Sequence, residues 1–185
     1  MRLSVFAFVV FLFSLLGVGT AWSGQGGNAV LAGVGKVYRV IDGDTFIVNL
    51  YSEEAYNAFE RAAGNEYKRR RYMDPRYKSI RVRLANVDTP ESTHKDASRN
   101  TAFGSHVSTE VTKLLEGQRV SVQCHDWGVY GRPICNASHA KVGDVGAWLI
   151  EKGYSPYVTR WGNNPYFHRE YQQAAARAAS RNAQR

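Results

Sequence analysis

Lys36-Val37-Tyr38-Arg39-Val40-Ile41, then Asp42-Gly43-Asp44, then Thr45-Phe46-Ile47-Val48-Asn49-Leu50: two alternating runs flank a short polar turn. Both runs are rich in β-branched and aromatic residues, and alternation with a period of two puts the apolar ones on one face. The stretch therefore reads as a β-hairpin lying on a core. Outward along the chain, Ile80-Arg81-Val82-Arg83-Leu84-Ala85-Asn86-Val87 alternates in the same way and is stopped by Asp88-Thr89-Pro90. Residues 119–124 and 132–137 give two more strands around Asp126-Trp127-Gly128-Val129-Tyr130-Gly131.

The helices come late. Ala102, Phe103, Val107, Val111, Leu114 and Leu115 recur at helical spacing, which predicts a helix over 98–116 ended by Gly117, with that stripe in the core. A short helix over 144–152 carries Val145, Trp148, Leu149 and Ile150 and is capped by Gly153; a last helix near 166–182 packs through Phe167 and Tyr171. Five strands with such helices predict an α+β, mainly β fold: a five-stranded OB-type barrel with about three helices. That domain is expected over 36–183, interrupted by an insertion at 51–79. The insertion's first part, 53–66, has helical composition. Its second part, Lys68-Arg69-Arg70-Arg71 with Arg76 and Lys78, is basic and interleaved with Tyr67, Tyr72 and Tyr77. It reads either as an arm that grips a phosphate backbone and stacks on bases, or as a solvated surface excursion.

The N-terminus has a different character. Met1-Arg2-Leu3 is a positive start, residues 4–18 are almost wholly apolar, and Gly19-Thr20-Ala21-Trp22-Ser23 offers small residues for cleavage after Ala21 or Ser23. Residues 1–23 read as a secretory signal peptide, because the apolar run is shorter than the roughly 20 residues of a spanning helix. Residues 24–35, rich in Gly and Ala, are expected to be a flexible lead-in. The mature protein is then secreted or periplasmic, with no stable membrane association after cleavage, and a monomer is expected. In an oxidising compartment Cys124 and Cys135 read first as a disulfide across a hairpin. A zinc site with His125 or His139, or two free buried thiols, are the other readings of the pair. Formal charge is +8, of which the leader carries only Arg2. Such a basic chain suits a polyanion, nucleic acid in particular, as partner.

Three islands carry chemistry. Asp44 in the hairpin turn and Asp88 at the end of the third strand give carboxylates for a hard cation such as Ca2+, and the Thr89 carbonyl could add a third oxygen. Arg83 and Arg132 are guanidiniums able to match phosphate oxygens in pairs. Glu91, stiffened by Pro90, is placed to take a proton from attacking water. Each island alone has a plain structural explanation: Asp-Gly as a turn, Asp88-Thr89-Pro90-Glu91 as a helix cap, Arg83 as a surface cation, Tyr130-Gly131-Arg132 as a hairpin. Their joint occurrence in this order points to phosphodiester cleavage. His94, His106, His125, His139 and His168 show no paired metal spacing and no neighbouring nucleophile, which disfavours histidine-driven, serine or cysteine chemistry.

Val40-Ile41-Asp42-Gly43-Asp44-Thr45, Arg83-Leu84, Val87-Asp88-Thr89-Pro90-Glu91, Tyr130-Gly131-Arg132 and Leu149-Ile150-Glu151-Lys152-Gly153-Tyr154 together resemble the staphylococcal-nuclease-like (thermonuclease) family, over about 35–183. The resemblance implies a calcium-dependent nuclease acting on DNA and RNA and leaving 3′-phosphate ends. It also implies Asp44, Asp88 and Thr89 as calcium ligands with Asp42 nearby, Arg83, Glu91 and Arg132 as the catalytic trio, and Tyr130 as a nucleotide contact. The chain departs from the family pattern at Val129, where a lysine would contact a terminal phosphate. It departs again near the base-stacking tyrosines, where Thr159 and Trp161 stand; Trp161 can stack and Thr159 cannot. The long insertion is a third departure. A non-catalytic nucleic-acid-binding OB-fold module is the rival expectation, and a structural surface protein with a stabilising calcium site is a third.

Overall fold

The computed structural model describes residues 30–93, 96, 98 and 100–184. The leader at 1–23 and His94 lie outside the described residues. Strands β1 (Leu31–Asp42), β2 (Thr45–Leu50), β4 (Ser79–Leu84), β5 (Arg119–Trp127) and β6 (Pro133–His139) form a closed mixed barrel. β2 pairs antiparallel with β1 and β4, and β5 pairs antiparallel with β1 and β6. A parallel pairing of Arg83–Leu84 with Ile134–Cys135 closes the ring. Two short strands, β3 (Met73–Asp74) and β7 (Gly143–Asp144), add to its edges. The mainly β, OB-type barrel expected from the sequence is the fold observed.

Alternation decides what lies inside. Phe46, Val48 and Leu50 from β2, Ile80, Val82 and Leu84 from β4, and Val120, Val122, Cys124, Cys135 and Ala137 from β5 and β6 are all buried. Cys124 and Cys135 pair across the β5–β6 ladder and form a disulfide, so of the three readings of that pair the first holds.

Strand β1 begins at Leu31, earlier than the alternating pattern, and takes up the last part of the expected lead-in. Its first half pairs with β5 and its second half with β2, so it turns the barrel's corner. A side chain at Gly35 would run into the Asn49 backbone, and one at Gly33 would come within 2.8 Å of Leu50 Cδ2. Those glycines serve close packing at the corner. Strand β4 stops at Leu84 rather than Val87, because Asn86 takes a left-handed backbone (φ 59°), a conformation that asparagine tolerates.

The described residues form five helices rather than about three. The extra pair lies in the insertion: α1 (Glu53–Ala63) and α2 (Tyr67–Arg70). The Ser52 hydroxyl caps α1 by accepting the Ala55 N–H at 3.2 Å, and Gly64 at φ 57° ends it before the expected Glu66. Tyr56, Phe59 and Ala63 are buried against the barrel, so this half of the insertion is part of the core. Helix α3 (Ala102–Leu115), capped by Thr101, starts later than Ser98 and buries Val107, Val111 and Leu115. Phe103, expected in the core, is 46% exposed and packs edge-on against Tyr154. Helices α4 (Val145–Lys152) and α5 (His168–Ala183) pack together, with Tyr171 fully buried beneath Asn136, whose side chain donates to its hydroxyl at 3.0 Å.

Candidate active site

The site grows from the two-residue turn between β1 and β2. Gly43 does not have a positive φ; it is there for close approach. A Cβ on it would lie 2.7 Å from Thr89 Oγ1 and 2.9 Å from Val107 Cγ1. The turn can therefore press against the segment after β4, which brings the first and second islands together. Asp42, buried, fastens the contact from the other side: its carboxylate accepts from the Gly43 N–H (2.8 Å) and the Ser92 hydroxyl (2.7 Å). The Thr89 N–H points to Asp44 Oδ2 at 3.4 Å.

Glu91 is held by its backbone. Its carbonyl accepts the Thr101 N–H at 3.0 Å, and Gly104 lacks a side chain where the Pro90 and Glu91 carbonyls cross α3. Arg132 is aimed by the turn before it. Gly131 (φ 83°) closes that turn through its N–H to the Gly128 carbonyl, 2.6 Å. A side chain there would collide with the Lys68 backbone, so the insertion sits directly on the loop that carries Arg132. Arg69 stacks over Trp127 at 5.0 Å, and Arg71 Nη2 donates to the Tyr130 carbonyl at 3.4 Å. The basic segment is thus not a free arm; part of it packs on the turn that carries Arg132.

The ionic groups form one network. Arg83 Nη2 lies 3.0 Å from Asp44 Oδ2 and 2.6 Å from Asp88 Oδ1, so two carboxylates converge on a single cationic nitrogen. The Thr45 hydroxyl donates to Asp44 Oδ1 at 2.8 Å and accepts from Arg132 Nη1 at 3.2 Å. Burial pushes the Asp44 carboxyl above the usual carboxylate range, with Arg83 pulling the other way. Burial works against the Arg83 charge too, yet Asp44, then Asp88 and Glu91, hold its pKa above the ordinary guanidinium value. Arg132 is lowered, first by burial and then by the like charge of Arg83. Among the described residues it has no carboxylate at ion-pair distance. A half-buried guanidinium crowded against another, without a counterion, is an environment that an anion relieves.

The five predicted groups Asp44, Asp88, Arg83, Glu91 and Arg132 thus share one neighbourhood, and Thr89 is buried beside them. Tyr130 and Trp161 are both largely exposed, at 64% and 82%, and Arg160 stacks over the Trp161 ring at 5.4 Å. Sequence reasoning missed Arg160, whose Nη2 is 3.6 Å from Asp88 Oδ2. It also missed the anchoring of the 155–162 loop: Ser155 Oγ accepts the Asp88 N–H at 2.8 Å, and Asn86 Nδ2 donates to Val158 and Gly162 carbonyls at 2.8 and 2.9 Å. Asn86 in a left-handed turn was the one available signal, since Asn is among the few residues that adopt it readily.

Among the described residues no three or more His, Cys, Asp or Glu side chains are grouped to hold a metal ion. The donor set fits a hard cation in kind, because Asp44 and Asp88 turn carboxylate oxygens toward one point; Arg83 Nη2 holds that point here and would have to share or leave it. Two carboxylates suit an ion that completes its shell with carbonyls, water and a substrate phosphate.

The barrel is of the oligonucleotide-binding type, and the family match identifies the class. The chain belongs to the staphylococcal nuclease homologue family, whose sequence pattern it matches over residues 81–184, more than half its length. The comparison with curated proteins gives no match. The matched stretch begins on β4, after the insertion, and the hairpin with Asp44 joins it through the fold. Membership of a nuclease family implies a nucleic-acid substrate.

Proposed function

We propose that this chain is an exported calcium-dependent nuclease that hydrolyses phosphodiester bonds of DNA and RNA with low sequence selectivity, leaving 3′-phosphate ends. The observation that carries the reading is the pair Arg83 and Arg132, one bridging Asp44 and Asp88 and the other with no carboxylate at ion-pair distance among the described residues. Asp44 and Asp88, with the Thr89 carbonyl, would hold Ca2+, which supplies Lewis-acid polarisation of a phosphate oxygen. Arg83 and Arg132 bind the phosphate's remaining oxygens and offset the charge that grows there during attack. Glu91 takes a proton from water; the water oxygen bonds to phosphorus and the bond to the 5′-oxygen breaks. Tyr130 and Trp161 contact the nucleotide. Export rests on residues 1–23, and the mature protein is secreted or periplasmic, monomeric and free of the membrane.

The test is end-group chemistry on digested DNA and RNA oligonucleotides. Products are expected to resist polymerase extension until a phosphatase removes a 3′-phosphate. Binding without cleavage would make the chain a nucleic-acid-binding module, and 3′-hydroxyl ends would contradict the proposed direction of attack.

A further inference from the structure

Strands β2 and β4 carry one outward face away from the site, rung by rung: Thr45 beside Arg83, Ile47 beside Arg81, Asn49 beside Ser79. Side chains on one face of a strand repeat about every 7 Å. The first rung belongs to the site. The next two form the side of a groove of about 400 Å³, whose opposite wall is Arg71–Asp74 and Tyr77 of the insertion, with Tyr38 from β1. The groove lies beside the site: Arg71 donates to the Tyr130 carbonyl two residues before Arg132, and Arg81 donates its backbone N–H to the Tyr72 carbonyl at 2.8 Å.

The groove is graded in chemistry. Its near end is cationic, with Arg71 and Arg81 flanking the Tyr72 ring at 4.7 and 5.7 Å. Its other lining residues include two exposed rings, Tyr38 at 65% and Tyr77 at 56%, the latter with Arg76 over one face at 5.5 Å, and the Asp74 carboxylate, which accepts the Arg76 N–H. The cations and the two exposed rings match the phosphate and the base face of a nucleotide.

We infer that this groove, walled by the insertion, is a subsite for an unpaired nucleotide next to the bond being cut, and that Tyr38 and Tyr77 strengthen single-strand binding there. The inference rests on the nuclease reading for the position of the cut, not for the binding itself. Aromatic faces are open only to a base that has left its stack, since in a duplex both faces are covered by neighbours. The phosphate lies toward Arg71 and Arg81, away from Asp74, and the base toward Tyr38 and Tyr77.

The experiment is fluorescence anisotropy with a labelled single-stranded 12-mer and a hairpin duplex of the same label, in chelator, followed by KM and kcat on the same two substrates with calcium. Tyr38→Ala with Tyr77→Ala should weaken binding of the single strand about tenfold or more and raise KM for it, with duplex binding little changed. Tyr51→Ala, an exposed tyrosine outside the groove, serves as control. Equal loss on both substrates, no loss on the single strand, or the same loss in Tyr51→Ala would overturn the inference. A protein that binds as described but cuts nothing would retain the groove and lose the nuclease reading instead.

Discussion

Glu91→Gln should lower turnover by a factor of about 10² to 10⁴, the range over which a positioned general base acts, while KM and melting temperature change little. The substitution conserves shape. What fixes residue 91 is its backbone, through the Thr101 N–H at 3.0 Å and the side-chain-free Gly104, and neither contact depends on the carboxylate. The main lost function is therefore proton removal from water, with a smaller loss of the negative charge that Glu91 presents to Arg83. Steady-state kinetics on an oligonucleotide, with thermal unfolding of the same samples, would separate these effects. A variant that turns over at the wild-type rate would remove Glu91 from the mechanism, and one that cuts slowly because it has unfolded would show it in the melt.

Arg132→Gly should cost about 10² to 10³ in turnover, the usual penalty for deleting one stabiliser of developing charge. The physical reason is that no carboxylate reaches ion-pair distance among the described residues, Asp44 acting on Arg132 only from farther away. Arg132 is desolvated, repelled by Arg83 and tied only to the Thr45 hydroxyl among the contacts described, so its charge does little for the folded state without a phosphate. Stability should hold or rise slightly, the pattern of a residue kept for activity. Arg132→Lys should recover only part of the rate, because an ammonium keeps the charge but not the two-pronged geometry. A large drop in melting temperature, or full recovery with lysine, would mean that Arg132 serves the fold or acts as a point charge.

Much of this was legible because it is local. Period-two alternation in 36–50 and 80–84 marks the strands, and Asp42-Gly43-Asp44 marks the turn between them. Gly117 and Gly153 end their helices where expected, both at positive φ. What could not be read depends on partners far along the chain. The parallel pairing of Arg83 with Ile134 closes the barrel across about fifty residues and leaves no local pattern. Gly33 and Gly35 look like linker composition until Leu50 and Asn49 are seen against them. Gly43 looks like turn chemistry, yet its smallness matters because Thr89 packs on it. The insertion's basic run reads as a solvent-facing arm; that Lys68 and Arg69 press on Gly131 follows only from the fold. Arg160 meets Asp88 for the same kind of reason, through a loop anchored by Asn86 and Ser155.

The assignment of five neighbouring ionic side chains to one hydrolytic site is tested most directly by incubating the purified protein with an end-labelled oligonucleotide, with Ca2+, Mn2+ or Mg2+ in turn and with a chelator. Cutting is expected with calcium and none with the chelator. An intact oligonucleotide under every cation would contradict the assignment of Asp44, Asp88, Arg83, Glu91 and Arg132 to a hydrolytic site.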